Sequence, residues 1–167
     1  MNASCAIEEW DEAHPRWPEF VACLQSAAPE QAPFVFRQDP GACPSCLLVA
    51  LQADEVVGFI RFTVQPIGPD AGCPALALDG VELTEAKIHA FAVRQSARGQ
   101  GIGAGLQREV IRRARSLGCH QVASYSSYGH AANYHIKLSL GFAAQPEVHG
   151  DNHQGVYFIL PLNNSAL

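Results

Sequence analysis

No apolar run in this chain is long enough to cross a bilayer as a helix, which argues against a membrane-spanning protein. Basic residues are scarce: 11 Lys and Arg face 16 Asp and Glu, for a formal net charge of -5. That balance lacks the basic footprint that nucleic-acid binding requires, so neither nucleic acid nor membrane is an expected partner. No internal repeat and no long linker is visible, which excludes a solenoid or a bead-string architecture. The first residues do not read as a signal peptide, because Glu8, Glu9, Asp11 and Glu12 interrupt any apolar core; the expectation is a cytoplasmic protein with reduced thiols. Only one CxxC pair exists, Cys43-Pro-Ser-Cys46. A zinc site needs a second pair, and a thioredoxin-like pair should open a helix where a strand follows here. His149, Asp151 and His153 share one turn, but their spacing fits no standard ligand set, so no metal is expected.

The composition is that of an ordinary globular domain. The chain has 167 residues, 48% hydrophobic and 16% charged, which suits one domain over 1–167 with a proper core. Phe20, Val21, Leu24 and Ala28 recur at helical spacing behind Pro18 and predict a helix over 17–28. Residues 29–46 read as loop. Runs 46–53 and 56–64 predict an antiparallel hairpin turning at Asp54-Glu55, and the Pro- and Gly-rich stretch 66–80 reads as a surface loop. A strand over 85–93 precedes a helix over 101–117, with Ile102, Leu106, Val110, Ile111, Ala114 and Leu117 as its apolar stripe and Gly118 as its stop. A strand over 121–125, a helix over 131–140 and strands 143–148 and 156–162 complete a mixed α/β (α+β) domain around a central sheet.

Residues 88–106, IHAFAVRQSARGQGIGAGL, carry the chemistry. A strand runs through a basic turn into glycines that open a helix. First-turn amides have no intrahelical acceptor, and the helix dipole adds positive potential there. Gly99, Gly101, Gly103 and Gly105 leave those amides open to a phosphate, and Arg98 adds a forked cation. No Lys-Ser or Lys-Thr follows, so a P-loop is excluded. A dinucleotide pattern fits through Gly99, Gly101 and Ala104, which keeps a nicotinamide oxidoreductase as an alternative, but Cys119–Ser124 offers no acid for a ribose.

The segment also satisfies [Q/R]-x-x-G-x-[G/A], as Arg98-Gly-Gln-Gly101-Ile-Gly103, and a distal Leu140-Gly141-Phe142 closes the last helix. Over roughly 46–162 the chain thereby resembles the GCN5-related N-acetyltransferase (GNAT) superfamily. The resemblance implies a mixed, mostly antiparallel twisted sheet of about six to seven strands flanked by about four helices, with acetyl-CoA as cofactor. The pantetheine arm would lie along Phe91, Ala92 and Val93, where the strand splays from its neighbour. The pyrophosphate would sit on the amides of Arg98, Gly99, Gln100, Gly101, Ile102, Gly103 and Ala104, and Asn133 is a further cofactor candidate. The reaction implied is direct attack of a neutral amine on the thioester, aided by a base and by an acid for the departing thiolate.

His89 is the candidate base, read as sharing a face with Phe91 and Val93 by alternation. Lys87-Ile-His89-Ala-Phe91 is also similar to the arylalkylamine acetyltransferase branch. The superfamily's acid is a Tyr four residues before the Gly of the closing GF; Lys137 stands there instead, and Tyr134 lies one turn earlier. His89, Tyr134 and Lys137 are thus the catalytic candidates, each open to a purely structural role. The expected acceptor is a small-molecule or peptide amine, hinted to be cationic by the acidic residues 1–40, and reached between the N-terminal helix and the 66–80 loop. A homodimer is common among such relatives. A non-catalytic acyl-CoA sensor on the same fold is the competing reading, because Lys137 replaces the usual Tyr.

Overall fold

The computed structural model describes residues 5–37, 44–69, 72–146 and 155–162. Its core is a seven-stranded sheet in the order β1-β2-β3-β6-β7-β9-β8. Every neighbouring pair is antiparallel except β6 and β7. Two helices pack on each face, as the resemblance implied.

β1 (Cys5–Trp10) is a strand that the sequence reading did not anticipate. Its Glu8-Glu9 pair hides the period-two pattern, because an edge strand can expose both. Trp10 is buried against α1 (Trp17–Ala27), while Ile7 meets α3 on the other face. The expected loop after α1 contains a short helix, α2 (Ala32–Val35). Its C-terminal end is fixed by the buried Arg61, which donates to the carbonyls of Phe34 (3.1 Å) and Arg37 (3.2 Å).

β2 (Ser45–Gln52) and β3 (Glu55–Pro66) form the predicted hairpin, but its turn is Ala53-Asp54, both at positive φ as a two-residue primed turn requires. The supposed loop after β3 holds a second hairpin, β4 (Ala77–Leu78) and β5 (Val81–Glu82), around Asp79-Gly80. β6 (Thr84–Val93) then leads into α3 (Ile102–Ser116). Five of the six predicted stripe residues of α3 are buried; Leu117 lies just past the helix end and is 52% exposed. β7 (Gln121–Ser127), α4 (Ala131–Ser139), β8 (Ala143–Pro146) and β9 (Gly155–Pro161) follow. Cys43 and the 149–153 turn lie outside the described residues.

Gln107 is a flaw in this core. It is fully buried on α3, and neither its amide oxygen nor its nitrogen has a hydrogen-bond partner. An unpaired buried amide costs roughly 1–3 kcal/mol. Gln107→Met keeps the shape and removes the polar atoms, so thermal melting should shift upward by roughly 2–4 °C per kcal/mol recovered.

Candidate active site

β6 and β7 pair only from Glu85–Ile88 against Gln121–Ser124. Beyond that point β6 stays with β3 up to Val93 and β7 stays with β9 through Ser127, so the two strands part. One backbone edge of 90–93 thereby has no pairing with β7, and buried main-chain groups seek a partner. A cavity of about 1350 Å³ runs through this opening. It starts at the N-terminus of α3 and emerges between α1, α2 and Ile67-Gly68.

The α3 end is built for an anion. Gly99 and Gly101 adopt positive φ (77° and 81°), which L side chains rarely tolerate, and a Cβ on either would meet no atom within 4 Å. Gly105 is the first amide of α3 to find an intrahelical acceptor, Gly101 O at 2.9 Å, so the amides of Ile102, Gly103 and Ala104 remain available. The other two glycines of the motif do a different job. A Cβ on Gly103 would meet the Phe91 ring at 3.0 Å and Ile136 at 3.1 Å, and one on Gly105 would lie 3.8 Å from Ile7. They let α3 approach the sheet and α4, and the Gly105 amide is already taken by Gly101 O, so of the four only Gly105 departs from the reading that all expose amides to phosphate. Arg98 turns back to donate from Nε to Val93 O at 3.1 Å, bracing the turn, and its own amide is used by Gln95 O. The Gln100 side chain points away and meets Gln52 at 2.7 Å. It does not line the cavity, whereas Arg98, Gly99 and 101–104 do.

Phe91, Ala92, Val93, His89, Asn133 and Lys137 also line the cavity; Tyr134 does not. The Tyr134 hydroxyl donates to Ser127 O at 2.7 Å and its ring rests on Phe158, a structural role. Burial pushes its pKa up, which weakens it further as an acid.

Lys137 is the unusual group. It is 1% exposed, with its ammonium 2.8 Å from Ser124 Oγ, 2.6 Å from Ser126 Oγ and 4.7 Å from the centre of the Phe158 ring. Desolvation alone lowers its pKa to about 7. Asn133 Nδ2 donates to the same Ser126 Oγ at 3.0 Å, and Asn133 Oδ1 is buried with no partner. Ser124 and Ser126, which hold this ammonium and line the cavity, were missed by the sequence reading; their only signal was Ser-x-Ser on a strand whose inward positions are otherwise apolar.

His89 sits differently from its prediction. Arg61 pairs with Ala90 and Phe62 with Ile88, so His89 is the extra residue of a β-bulge. The bulge breaks the alternation. Phe91 packs toward α3, while His89 turns to the opposite face and meets Thr63 Oγ1 at 2.7 Å. From Thr63 the chain continues to Gln65 Oε1 (3.2 Å), and Gln65 and Gln121 each offer an amide NH2 to the buried Glu85. An ionised carboxylate only accepts, so Gln65 must aim its oxygen at Thr63. Thr63 Oγ1 stands between Gln65 Oε1 and His89 Nε2, and the tautomer of His89 sets which of the two takes its proton.

The far mouth carries Glu30, Phe34, Arg37, Lys87, Tyr125 and Tyr157, with the two tyrosine rings 5.1 Å apart. Three of the other N-terminal acids are engaged elsewhere: Glu8 with Trp10, Glu9 with Arg113 and Glu19 with Arg16. Glu30 and Glu85 are the carboxylates among the described residues that line the cavity. Among the described residues no group of three His, Cys, Asp or Glu could hold a metal, and no helix is long and apolar enough to cross a membrane.

The parted strands, the left-handed glycines and the amide-bearing helix start fit a coenzyme A thioester: an unpaired strand edge for pantetheine amides, open helix amides for a diphosphate. The sequence agrees. Residues 7–142 match the model of the acetyltransferase (GNAT) family, and the chain belongs to that family, whose acyl donor is acetyl-CoA. This places the glycine turn in an acyltransferase and sets aside the nicotinamide alternative. No curated protein matches the chain by sequence. Solved structures share the fold at low identity. A Klebsiella pneumoniae protein assigned as an acyl-CoA N-acyltransferase is 18% identical with a TM-score of 0.69, covering 96% of this chain and 99% of that one. Arabidopsis thaliana NAA60 in complex with acetyl-CoA is 14% identical with a TM-score of 0.68, covering 96% and 100%. A Bacillus subtilis acetyltransferase in complex with CoA is 17% identical with a TM-score of 0.65, covering 95% and 99%.

Proposed function

We propose that the protein transfers the acetyl group of acetyl-CoA to a primary amine of a small molecule or peptide by direct attack. His89 acts as base and Lys137 as the proton donor to the departing sulfur. The observation that carries this reading is Lys137: a buried ammonium at the superfamily's acid position, lining the gap, with a pKa of about 7. Such a group keeps a share of its population protonated near pH 7 and releases that proton readily, which a general acid requires. Acetyl-CoA supplies an activated acyl group. The chain's residues align it along β6 and move protons at the His89 imidazole and Lys137 Nζ. The acceptor would enter past Glu30 and Phe34 and reach the sheet beside Tyr125 and Tyr157. No tyrosine is needed as acid, so Lys137 does not by itself favour the sensor reading.

Thiol release with a panel of amines tests the proposal. Release that depends on an amine supports it; cofactor binding without release from any amine leaves an acyl-CoA-binding protein. His89→Gln should lower kcat/KM for the amine by about 100-fold, at the lower end of what general-base catalysis contributes, while leaving acetyl-CoA affinity nearly unchanged.

A further inference from the structure

Ser126 stands at the centre of the Lys137 cluster, and its geometry suits more than holding an ammonium. Its Oγ lies 2.6 Å from Lys137 Nζ and accepts from Asn133 Nδ2 at 3.0 Å. Ser124 Oγ, 2.8 Å from the same Nζ, fixes the amine from a second direction. Ser124, Ser126, Asn133 and Lys137 all line the cavity, and the two serines and the lysine are buried. A hydroxyl in hydrogen-bond reach of a base that is itself oriented by a third group is the arrangement of an activated nucleophile; serine–lysine pairs are one form of it.

We infer that Ser126, Lys137 and Ser124 form a nucleophile, base and orienting group that take the acetyl of acetyl-CoA onto Ser126 when no amine acceptor is bound. The inference rests on acetyl-CoA occupying the gap, but not on the identity of the acceptor or on direct attack. Neutral Lys137 Nζ removes the Ser126 hydroxyl proton as Oγ forms a bond to the thioester carbonyl carbon. The C–S bond breaks, its electron pair stays on sulfur, and Lys137 returns the proton to give the free thiol. The products are coenzyme A and an acetyl ester on Ser126, with Lys137 neutral again. Water then cleaves the ester to acetate and serine, so the protein hydrolyses acetyl-CoA slowly without an amine. The desolvation that lowers the Lys137 pKa keeps part of the amine neutral near pH 7, where it can act as base.

The test is intact-mass spectrometry of the full chain, quenched in acid during incubation with acetyl-CoA and no amine. Binding is measured separately by calorimetry with acetyl-CoA. The expected result is a gain of one acetyl group, mapped to Ser126, removed by hydroxylamine and lost in Ser126→Ala. Its rate of formation should fall about tenfold in Ser124→Ala and about a hundredfold or more in Lys137→Met. Ser126→Thr keeps a hydroxyl and, should the alanine variant not fold, is expected to carry the ester at a reduced rate. Heat of binding with no adduct on the wild-type chain, or an adduct that resists hydroxylamine and maps to Lys137 as an amide, overturns the inference while leaving amine acetylation standing. Absence of binding heat overturns both.

Discussion

Lys137→Met is expected to lower kcat for amine acetylation by roughly 100–1000-fold at neutral pH, with acetyl-CoA affinity changed by less than about threefold. Lys137 contributes late, when negative charge develops on sulfur, so its loss should fall on kcat. A hundredfold loss corresponds to about 2.7 kcal/mol of transition-state stabilisation. Lys137→Arg should be nearly as slow. A guanidinium keeps the charge but does not give up its proton at any working pH. The pair of variants separates proton donation from electrostatics: if Lys137 acted only as a fixed cation, the arginine variant would retain most of the rate. Steady-state kinetics with saturating amine, together with acetyl-CoA calorimetry, reads both quantities.

The second large effect concerns the glycines of 99–105, which look alike in sequence and differ in structure. Gly101→Val should weaken coenzyme A binding by at least about 100-fold. A β-branched side chain at φ 81° is strained, and its Cβ would project into the open space that the diphosphate needs. The fold should survive, because that Cβ meets no protein atom within 4 Å. Gly103→Ala should behave in the opposite way. Its methyl would press on the Phe91 ring at 3.0 Å and on Ile136 at 3.1 Å, so stability should drop by about 1–3 kcal/mol. The bound diphosphate should feel less of that change than it does of Gly101→Val. Calorimetric binding set beside thermal melting distinguishes the two. Equal losses of binding with unchanged melting would refute this division of labour.

Local chemistry made the cofactor end legible from sequence. The strand, the Arg98–Gly103 turn, the amphipathic helix and its Gly118 stop are all short-range patterns, and each is where periodicity put it. Non-local features were not legible. β1 is defined by its pairing with β2 rather than by its own pattern, because Glu8 and Glu9, on opposite faces of an edge strand, are both exposed. The bulge at His89 exists because β3 and β6 differ by one residue in length across the pair, and this reverses the face that alternation assigns. Asp79-Gly80 is a strong hairpin signal that was masked by the surrounding Pro and Gly. The Lys137 cluster is the clearest case. Lys137 could be located by counting back from Gly141, yet its protonation behaviour comes from burial, which depends on how α4 packs against β7 and β9, where Ser124, Ser126 and Phe158 surround the ammonium. Tyr134 drew attention as a phenol near the right place; one helical turn was enough to point it at a backbone carbonyl instead.

The most direct test of the whole account is the pH dependence of kcat at saturating acetyl-CoA and amine, compared between the wild type and Lys137→Met. A general acid must carry its proton, so wild-type kcat should fall as pH rises through about 7, the value to which burial lowers Lys137. The variant should lack that alkaline limb. An alkaline limb of the same position and depth in both proteins would contradict the assignment of Lys137 as the proton donor.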